Sequence, residues 1–232
     1  MTRPGVPAIR DAFEEFLNRG ARGRDWPAWA ALFTDDAVYT EHCMGQFRGS
    51  AGIDAWIRSA MEPVACMTFS VEWCAIEGDL LAFWIWNHLP TPLGTDNEFC
   101  FPNLSVLTYA GDGRWSAEED FYAPAWTRCV VDWFRAGGFP AMAADPSLVP
   151  RARSHPSAPS IGPERVVVSA ALSALSPPGS DMRHEIIEGA VGVGVFDTDE
   201  RAYAVVVHVD SDGTTVFSDV ISNPDETINP CR

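Results

Sequence analysis

Acidic side chains are the most suggestive chemical groups in this chain, and three of them fall in stretches whose patterns predict β-strands. Glu41 comes near the end of an alternating stretch, 37–42, that follows a helix-like segment. Glu118 and Asp120 alternate along a second stretch, 114–122. Alternate residues of a strand share a face, so Glu118 and Asp120 should point the same way. We expect Glu41 to project into a space enclosed by a sheet and the preceding helices.

Carboxyl groups in an apolar cavity titrate at a higher pH than in water, because burial disfavours their charged form. Such a group can take up and release protons near neutral pH. If Glu41 and Asp120 face each other, their like charges raise one pKa further. We predict Glu41 as the catalytic base, with Asp120 or His42 as its acid partner. The alternative is that these acids lie at a rim or on an exposed strand face.

Strand parity also selects candidate substrate-binding residues. Tyr39 shares a face with Glu41, and Asn103 shares a face with Ser105 on the stretch 98–110. The stretch 80–89 carries an aromatic stripe, which more often packs in a core than binds a ligand. The predicted substrate-binding residues are Tyr39, Trp56, Trp84, Trp86, His88, Asn103, Ser105, Glu118 and Tyr122.

We predict no metal and no cofactor. His42 and His88 could form a metal site with Glu41, but such a spacing across strands cannot be verified from sequence. The sequence has no nucleophile elbow, phosphate-binding loop or dinucleotide fingerprint. The glycines of GAVGVG, 189–194, precede residues typical of strands, so we interpret them as strand glycines.

Composition limits the classes of partner. The 232 residues include 32 acidic and 16 basic side chains, for a formal net charge of −16. Nucleic acids and anionic membranes require a basic face, so neither is expected to bind. The 6 cysteines have no metal-finger spacing and several lie in apolar runs, which favours buried thiols. With no leader-like or membrane-spanning stretch, we expect a cytoplasmic protein.

Periodicity predicts helices first and a meander of strands afterwards. Helical spacing covers three stretches, 8–20, 53–61 and 125–136, and Asp25 with Pro27 predicts the start of a further helix. Strand-like stretches separated by turn motifs follow, at 68–76, 80–89, 98–110 and 114–122. This order predicts an α+β fold in which a curved antiparallel sheet packs as a cone on N-terminal helices and encloses a pocket.

A change in composition divides the chain into two parts. Residues 139–164 are rich in Pro, Ala, Ser and Arg without a visible period, which predicts a linker between a first domain, 1–138, and a small β-rich module, 165–232. In the module, 165–175 fits a short helix or strand, and three strands follow at 188–196, 202–210 and 214–221. A module of this size folds only marginally alone, so we expect it to dock on the first domain or on a partner chain.

The first domain resembles the nuclear-transport-factor-2-like, or SnoaL-like, superfamily over residues 8–138. The resemblance lies in DWPAWAALFTDDAVYTEH, RGSAGIDAWI and FPNLSVLTYAGDGRWSAEEDFYAP. It implies the cone-shaped fold, a homodimer formed through the open sheet face, and a small hydrophobic oxygenated ligand such as a polyketide, steroid or terpenoid. The superfamily includes polyketide cyclases, ketosteroid isomerases, epoxide hydrolases and non-catalytic binding modules, among which fold likeness does not choose.

Single positions refine what the resemblance implies. Compared with the ketosteroid isomerases, Glu41 stands where the proton-shuttling Asp is found, and Ser105 stands at the position of the oxyanion-hole acid. The first helix offers no Tyr as a second oxyanion donor. The limonene-epoxide hydrolases use an Asp-Arg-Asp triad, and neither Arg48 nor Arg58 has that spacing. The resemblance therefore implies cofactor-independent isomerisation, cyclisation, dehydration or epoxide opening, with a non-catalytic binding or dimerisation module as the alternative.

The C-terminal end resembles the last strands of SnoaL-like domains that are appended to some sigma factors. Those domains often end in an Asn-Pro-Asp run, which stands here at 223–225. The helices that should precede these strands are missing from the sequence. The resemblance implies a truncated second copy of the fold that cannot enclose a cavity of its own.

Overall fold

A computed structural model describes residues 5–122, 125–143 and 159–222. In the N-terminal part of the described chain, helices pack on a six-stranded sheet. The helices are α1 (Val6–Leu17), α2 (Trp26–Ala30), α3 (Gly49–Met61) and α4 (Trp126–Arg135). The strands are β1 (Phe33–Glu41), β2 (Gly45–Arg48), β3 (Thr68–Glu77), β4 (Leu80–Leu89), β5 (Phe99–Gly111) and β6 (Arg114–Tyr122).

Capping and strand pairing together set the boundary between α2 and β1. The Asp25 carboxylate accepts a hydrogen bond from the Ala28 backbone N–H at 3.2 Å, so α2 starts where the sequence predicts. The helix ends at Ala30. The Trp115 backbone N–H donates to the Leu32 carbonyl at 2.9 Å. This bond brings the chain alongside β6, so the strand begins several residues earlier than its alternating pattern indicates.

The six strands form a curved mixed sheet in the order β2-β1-β6-β5-β4-β3. The α+β fold with helices packed on one face of the sheet is confirmed. The sheet is not antiparallel throughout, because β1 and β6 pair in parallel with Glu41 opposite Asp120. The chain reaches β6 only after the β3–β5 meander, so β6 returns beside β1 in the same direction. This pairing places two acidic side chains on adjacent strands.

The C-terminal part forms a second, antiparallel sheet of four strands in the order β10-β9-β8-β7, with a helix beside it. Its elements are α5 (Arg165–Ala174), β7 (Asp181–Glu188), β8 (Val191–Asp197), β9 (Ala202–Val209) and β10 (Thr215–Ser222). Strand β7 was missed in the sequence because its only fully buried side chain is Ile186. The Asn-Pro-Asp run at 223–225 and most of the predicted linker, 144–158, lie outside the described residues.

Among the glycines of GAVGVG, Gly192 and Gly194 lie in β8 as expected, whereas Gly189 lies in the turn before the strand. Gly189 has a φ of +58° in the turn, a conformation that favours glycine. Gly192 lies in β8. A Cβ there would stand 2.6 Å from Val168 Cγ1. Glycine therefore lets α5 pack closely on the second sheet.

The second sheet packs face to face on the outer side of the first. Buried side chains of both sheets form one apolar cluster, which includes Trp73, Trp84, Leu104, Val106, Phe121, Ile186, Val193, Val195, Ala204 and Val206. The module thus docks on the first domain. The sheet face that the resemblance assigns to a homodimer is covered by the chain's own strands, and the homodimer itself stays a prediction.

Carboxylates accept hydrogen bonds from backbone N–H groups where the two sheets meet at their edges. Glu188 of β7 accepts the Ile76 backbone N–H at 2.7 Å and also accepts from Arg10 at 2.5 Å. In return, Glu77 of β3 accepts the Ile187 backbone N–H at 2.9 Å. Edge strands present unpaired N–H groups, and these reciprocal bonds satisfy two of them.

A charged contact joins the second sheet to the strand that carries the acidic pair. Arg183 of β7 makes two hydrogen bonds of 2.8 Å to the Glu119 carboxylate, and His42 donates to the same carboxylate at 2.7 Å. Burial opposes ionisation of Glu119, but the hydrogen bonds from His42 and Arg183 lower its pKa to about 2. This cluster fixes the outer side of β1 and β6 where Glu41 and Asp120 occupy the inner side.

No helix in the described ranges is both long enough and apolar enough to cross a membrane.

The apolar cluster between the sheets should contribute strongly to stability. Trp84 belongs to this cluster and is only 4% exposed. Trp84→Ala should lower the free energy of unfolding by about 3–5 kcal/mol, because it leaves a large cavity. Leu93→Ala, at a residue that is 99% exposed, should change it by less than about 0.5 kcal/mol. Urea unfolding followed by far-UV circular dichroism measures both. A loss below about 1 kcal/mol for Trp84→Ala would contradict the packing described.

Candidate active site

A cavity of about 260 Å³ lies between the inner face of the six-stranded sheet and helices α1 to α4. Its size is just below the ~300–1,000 Å³ that is usual for ligand pockets. The walls are mainly apolar and aromatic. The polar side chains among them come from β1, β4, β5 and β6 and are Tyr39, Glu41, Asn87, Asn103, Ser105, Glu118, Asp120 and Tyr122.

Glu41 is buried in this cavity without a hydrogen-bond partner for either carboxyl oxygen within the described residues. Glu41 is only 2% exposed to solvent. Burial raises the pKa of Glu41 to about 8, and the negative charge of Asp120 adds to the rise. The nearby backbone N–H groups of Cys43 and Met44 oppose that rise without reversing it. Glu41 therefore holds a proton at neutral pH.

Asp120 lies beside Glu41 but in a different hydrogen-bonding environment. Its carboxylate accepts from the Ser105 hydroxyl at 2.5 Å and from the Tyr39 hydroxyl. Burial raises the pKa of Asp120 to about 6, although the hydrogen bonds from Ser105 and Tyr39 oppose the rise. Asp120 is therefore ionised at neutral pH, while its neighbour Glu41 is not.

A chain of hydrogen bonds extends from Asp120 along the floor of the cavity. The Asn103 amide donates to the Ser105 hydroxyl at 3.0 Å, and the Asn87 amide donates to the Asn103 side-chain oxygen at 2.8 Å. Asn87 also donates to the Phe101 carbonyl at 3.2 Å. Each donor in such a chain polarises the next, so the asparagines strengthen the bond from Ser105 to Asp120.

Glu118 is the third buried carboxyl of the cavity. It faces Tyr39 across the β1–β6 pairing, and its Oε2 atom is buried without a hydrogen-bond partner in the described part of the chain. Burial, followed by the negative charge of Asp120, raises the pKa of Glu118 well above its usual range. Burial likewise raises the pKa values of Tyr39 and Tyr122 well above that of a free tyrosine.

The cavity carries no basic side chain to balance these acids. Arg and His are absent from its lining within the described residues. The 232-residue sequence contains no lysine, so a Schiff-base mechanism on a lysine amine has no residue in this chain. Proton transfer through carboxyl groups is the chemistry that the polar groups of the lining can perform.

The structure brings eight of the predicted site residues together in the lining. They share inward positions on their strands or, in one case, on α3, and they are Glu41, Asp120, Tyr39, Trp56, Asn103, Ser105, Glu118 and Tyr122. For the strand residues, the predictions came from the alternation of inward and outward side chains along β1, β5 and β6. Four predicted residues lie elsewhere: His42, Trp84, Trp86 and His88.

The expected placement of Trp84, Trp86 and His88 in the pocket is corrected, because they occupy the outer face of β4. Trp84 packs between the two sheets, and Trp86 Nε1 donates to Glu72 at 2.8 Å. His88 shares a hydrogen bond of 2.9 Å with Ser70. Parity showed which residues share a face of β4 but could not show which face is inside.

The expected placement of His42 beside Glu41 is also corrected. His42 is the next residue along the chain and so points to the outer face, where it donates to Glu119 and lies against the Phe121 ring at 4.9 Å. His42 therefore does not line the cavity. It acts on the cavity only through the sheet, by lowering the pKa of Asp120. The direct acid partner of Glu41 in the lining is therefore Asp120.

Some lining residues were missed in the sequence. Asn87 shares the inner face of β4 with Phe83 and Ile85. Its position on the same face as those two residues was visible, but the bulkier stripe on the other face was preferred as ligand-binding. The helices add aromatic side chains that looked like ordinary core residues, namely Trp26, Trp29 and Trp126.

In the described ranges, no three His, Cys, Asp or Glu side chains converge in a way that could hold a metal ion. The five cysteines that fall within the same ranges form no disulfide.

Comparison with known families finds a match in the first part of the chain. Residues 9–118 match the model of the SnoaL-like domain family. The resemblance to the SnoaL-like superfamily is thereby confirmed for this part of the chain. Comparison of the sequence with curated proteins found no significant match.

Three solved structures illustrate the likeness of fold. A ketosteroid isomerase-like protein from Catenulispora acidiphila, in complex with trimethylamine, is 17% identical with a TM-score of 0.42, covering 48% of this chain and 85% of its own. An NTF2-like protein of unknown function from Burkholderia pseudomallei is 18% identical with a TM-score of 0.44, covering 56% and 96%. An LEH-like epoxide hydrolase from M. tuberculosis is 18% identical with a TM-score of 0.45, covering 57% and 96%.

The raised pKa of Glu41 predicts a pH-dependent stability. As the pH rises, the unfolded chain loses this proton near the ordinary value of 4.5, whereas the folded protein keeps it to about 8. The stability contributed by protonated Glu41 is therefore full below about pH 4.5 and is lost by about pH 8.

Glu41→Gln removes this loss, and should raise the free energy of unfolding at about pH 8 by about 1–3 kcal/mol relative to the wild type. Near pH 4.5 the two proteins should differ much less. Glu200→Gln, at an exposed side chain, serves as the control. Urea unfolding across this pH range measures the difference. A wild-type protein that is the more stable at the higher pH would contradict the raised pKa.

Proposed function

We propose that this chain, whose residues 9–118 form a SnoaL-like domain, is a cofactor-independent acid/base enzyme of the cytoplasm. Its substrate is a small hydrophobic oxygenated molecule of the polyketide, steroid or terpenoid kind. The observation that carries the proposal is the pair of buried carboxyls, Glu41 and Asp120, on adjacent strands of an apolar cavity. Isomerisation, cyclisation, dehydration and epoxide opening are the reactions such a pair can catalyse.

The environments of the two carboxyls favour a particular division of roles. Asp120 is the ionised group at neutral pH, because two hydroxyls donate to it, so it acts as the base. Glu41 keeps its proton and acts as the acid. This order is the reverse of the sequence-based expectation that Glu41 is the base. Tyr39, Asn103 and Ser105 orient the base and, through it, the substrate.

One arrangement serves each reaction of the group. In an enolisation, Asp120 takes the C–H proton, the C–H electron pair becomes the new C=C bond, and the C=O π pair moves to the oxygen, which takes the proton of Glu41. In a dehydration, Asp120 takes a proton from the neighbouring carbon and that C–H electron pair becomes the new C=C bond, while the C–O bond breaks and the hydroxyl takes the proton of Glu41 and leaves as water. In an epoxide opening, the water oxygen forms a bond to one ring carbon as Asp120 takes its proton, while the bond from that carbon to the epoxide oxygen breaks and Glu41 protonates that oxygen. Near-neutral pKa values suit both transfers.

Removing either carboxyl should stop turnover. Suitable probes are 2-tetralone, followed by hydrogen exchange in D₂O, styrene oxide, followed by hydrolysis, and 4-hydroxy-4-phenylbutan-2-one, followed by dehydration. For any probe that is transformed, Glu41→Gln and Asp120→Asn should each lower kcat by about 10²–10⁴-fold, since each removes one proton-transfer group. Binding of the probe should change little.

The controls are Glu200→Gln and Asp112→Asn, which make the same chemical change at exposed positions. Unchanged kcat in Glu41→Gln or Asp120→Asn would remove that carboxyl from the mechanism. A protein that binds the probes but transforms none of them would support the alternative, a non-catalytic binding module of the same fold.

The pH dependence of kcat/KM should be bell-shaped. The rate should rise as Asp120 ionises, near pH 6, and fall as Glu41 loses its proton, near pH 8. Steady-state kinetics with the best probe measures both limbs. A rate that keeps rising above about pH 8 would instead identify Glu41 as the base.

A further inference from the structure

We propose that the cavity selects a substrate that carries a positively charged amine in addition to its reacting oxygen, with the ammonium group held between Glu118 and the aromatic rings around Tyr39. This inference rests on the proposed function, because it names the substrate class of the same site. It assigns a binding role to a carboxyl that the acid/base mechanism does not use.

The first argument is the charge balance of the cavity. Three carboxyls line it, and its described lining contains neither Arg nor His. Glu118 is 3% exposed, and its Oε2 atom is buried without a hydrogen-bond partner among the residues that the structure describes. A buried polar atom of this kind is costly unless a ligand satisfies it. An ammonium group supplies both the missing hydrogen-bond donor and the missing positive charge.

Aromatic rings next to Glu118 supply the second argument. Tyr39 is the register partner of Glu118 on the adjacent strand. The Trp56 ring lies 4.3 Å from the Tyr39 ring, and the Trp29 ring lies 6.2 Å from it. All three residues line the cavity, and Phe47 stacks on Trp56 at 4.7 Å to hold it in place. The faces of Trp and Tyr rings attract organic cations, most strongly where water is excluded.

The groups that face Glu118 carry negative or no charge. They are Asp120 and Tyr122 on its own strand and Tyr39 and Glu41 on β1, while β5 presents Asn103 and Ser105. His42 and Glu119, which act on Asp120, lie on the other side of the sheet. Burial and then the negative charge of Asp120 raise the pKa of Glu118 and so favour its protonated form. A cation bound there takes the place of that proton, so its binding should release one.

Protonated 2-phenylpropan-2-amine and tert-butylbenzene form a matched pair of probes, because they have the same shape and only the amine carries a positive charge and N–H donors. The cation should bind at least about tenfold more tightly than the neutral probe at neutral pH. Its affinity should rise with pH, and calorimetry in buffers of different ionisation enthalpy should show proton release. The affinity of the neutral probe should not rise with pH.

Variants locate the site of the cation. Glu118→Gln should reduce the preference for the cation by about tenfold and abolish the proton release. Glu200→Gln should change neither. Equal or weaker binding of the cation, or a preference that survives in Glu118→Gln, would overturn the inference.

The two proposals fail separately. If the cation does not bind but Glu41→Gln and Asp120→Asn stop turnover of the neutral probes, the acid/base function stands and the amine inference falls. If the cation binds with proton release but no variant affects turnover, the amine site stands without that mechanism.

Discussion

The organisation of this protein depends on the burial of three carboxyl groups on one face of a sheet, in a cavity whose described lining contains no basic side chain. Glu41, Glu118 and Asp120 occupy inward positions of two adjacent strands, β1 and β6. Burial raises each pKa, and the differing hydrogen bonds separate the values. Asp120 has two hydroxyl donors, whereas Glu41 has no partner in the described residues. Glu41 and Asp120, two chemically similar neighbours, thereby acquire different protonation states at the same pH.

Keeping these groups together costs stability, and the second sheet provides compensating contacts. It buries the outer face of the first sheet in an apolar cluster. Arg183 binds Glu119, the residue between Glu118 and Asp120, and Glu119 in turn binds His42, which follows Glu41. The C-terminal module thus holds the back of both strands whose front faces carry the acids. Arg183 itself lies outside the cavity lining.

Most of the first domain could be predicted from sequence, since alternation along β1, β5 and β6 correctly grouped the acids with Tyr39, Asn103 and Ser105. Parity fails where both faces of a strand are buried. In β4 one face meets the cavity and the other meets the second sheet, so the pattern favoured Trp84 over Asn87. The packing of the two sheets depends on contacts between residues more than a hundred positions apart, which local patterns do not report.

The order of the carboxyl pKa values could not be predicted, because it depends on which hydroxyl reaches which oxygen. The most direct test is to titrate Glu41 by carbonyl-stretch infrared spectroscopy or by ¹³C NMR of labelled carboxyls, with Glu41→Gln to assign the signal. The account predicts a protonated Glu41 at neutral pH that ionises near pH 8. A signal that titrates near the ordinary value of 4.5 would contradict it.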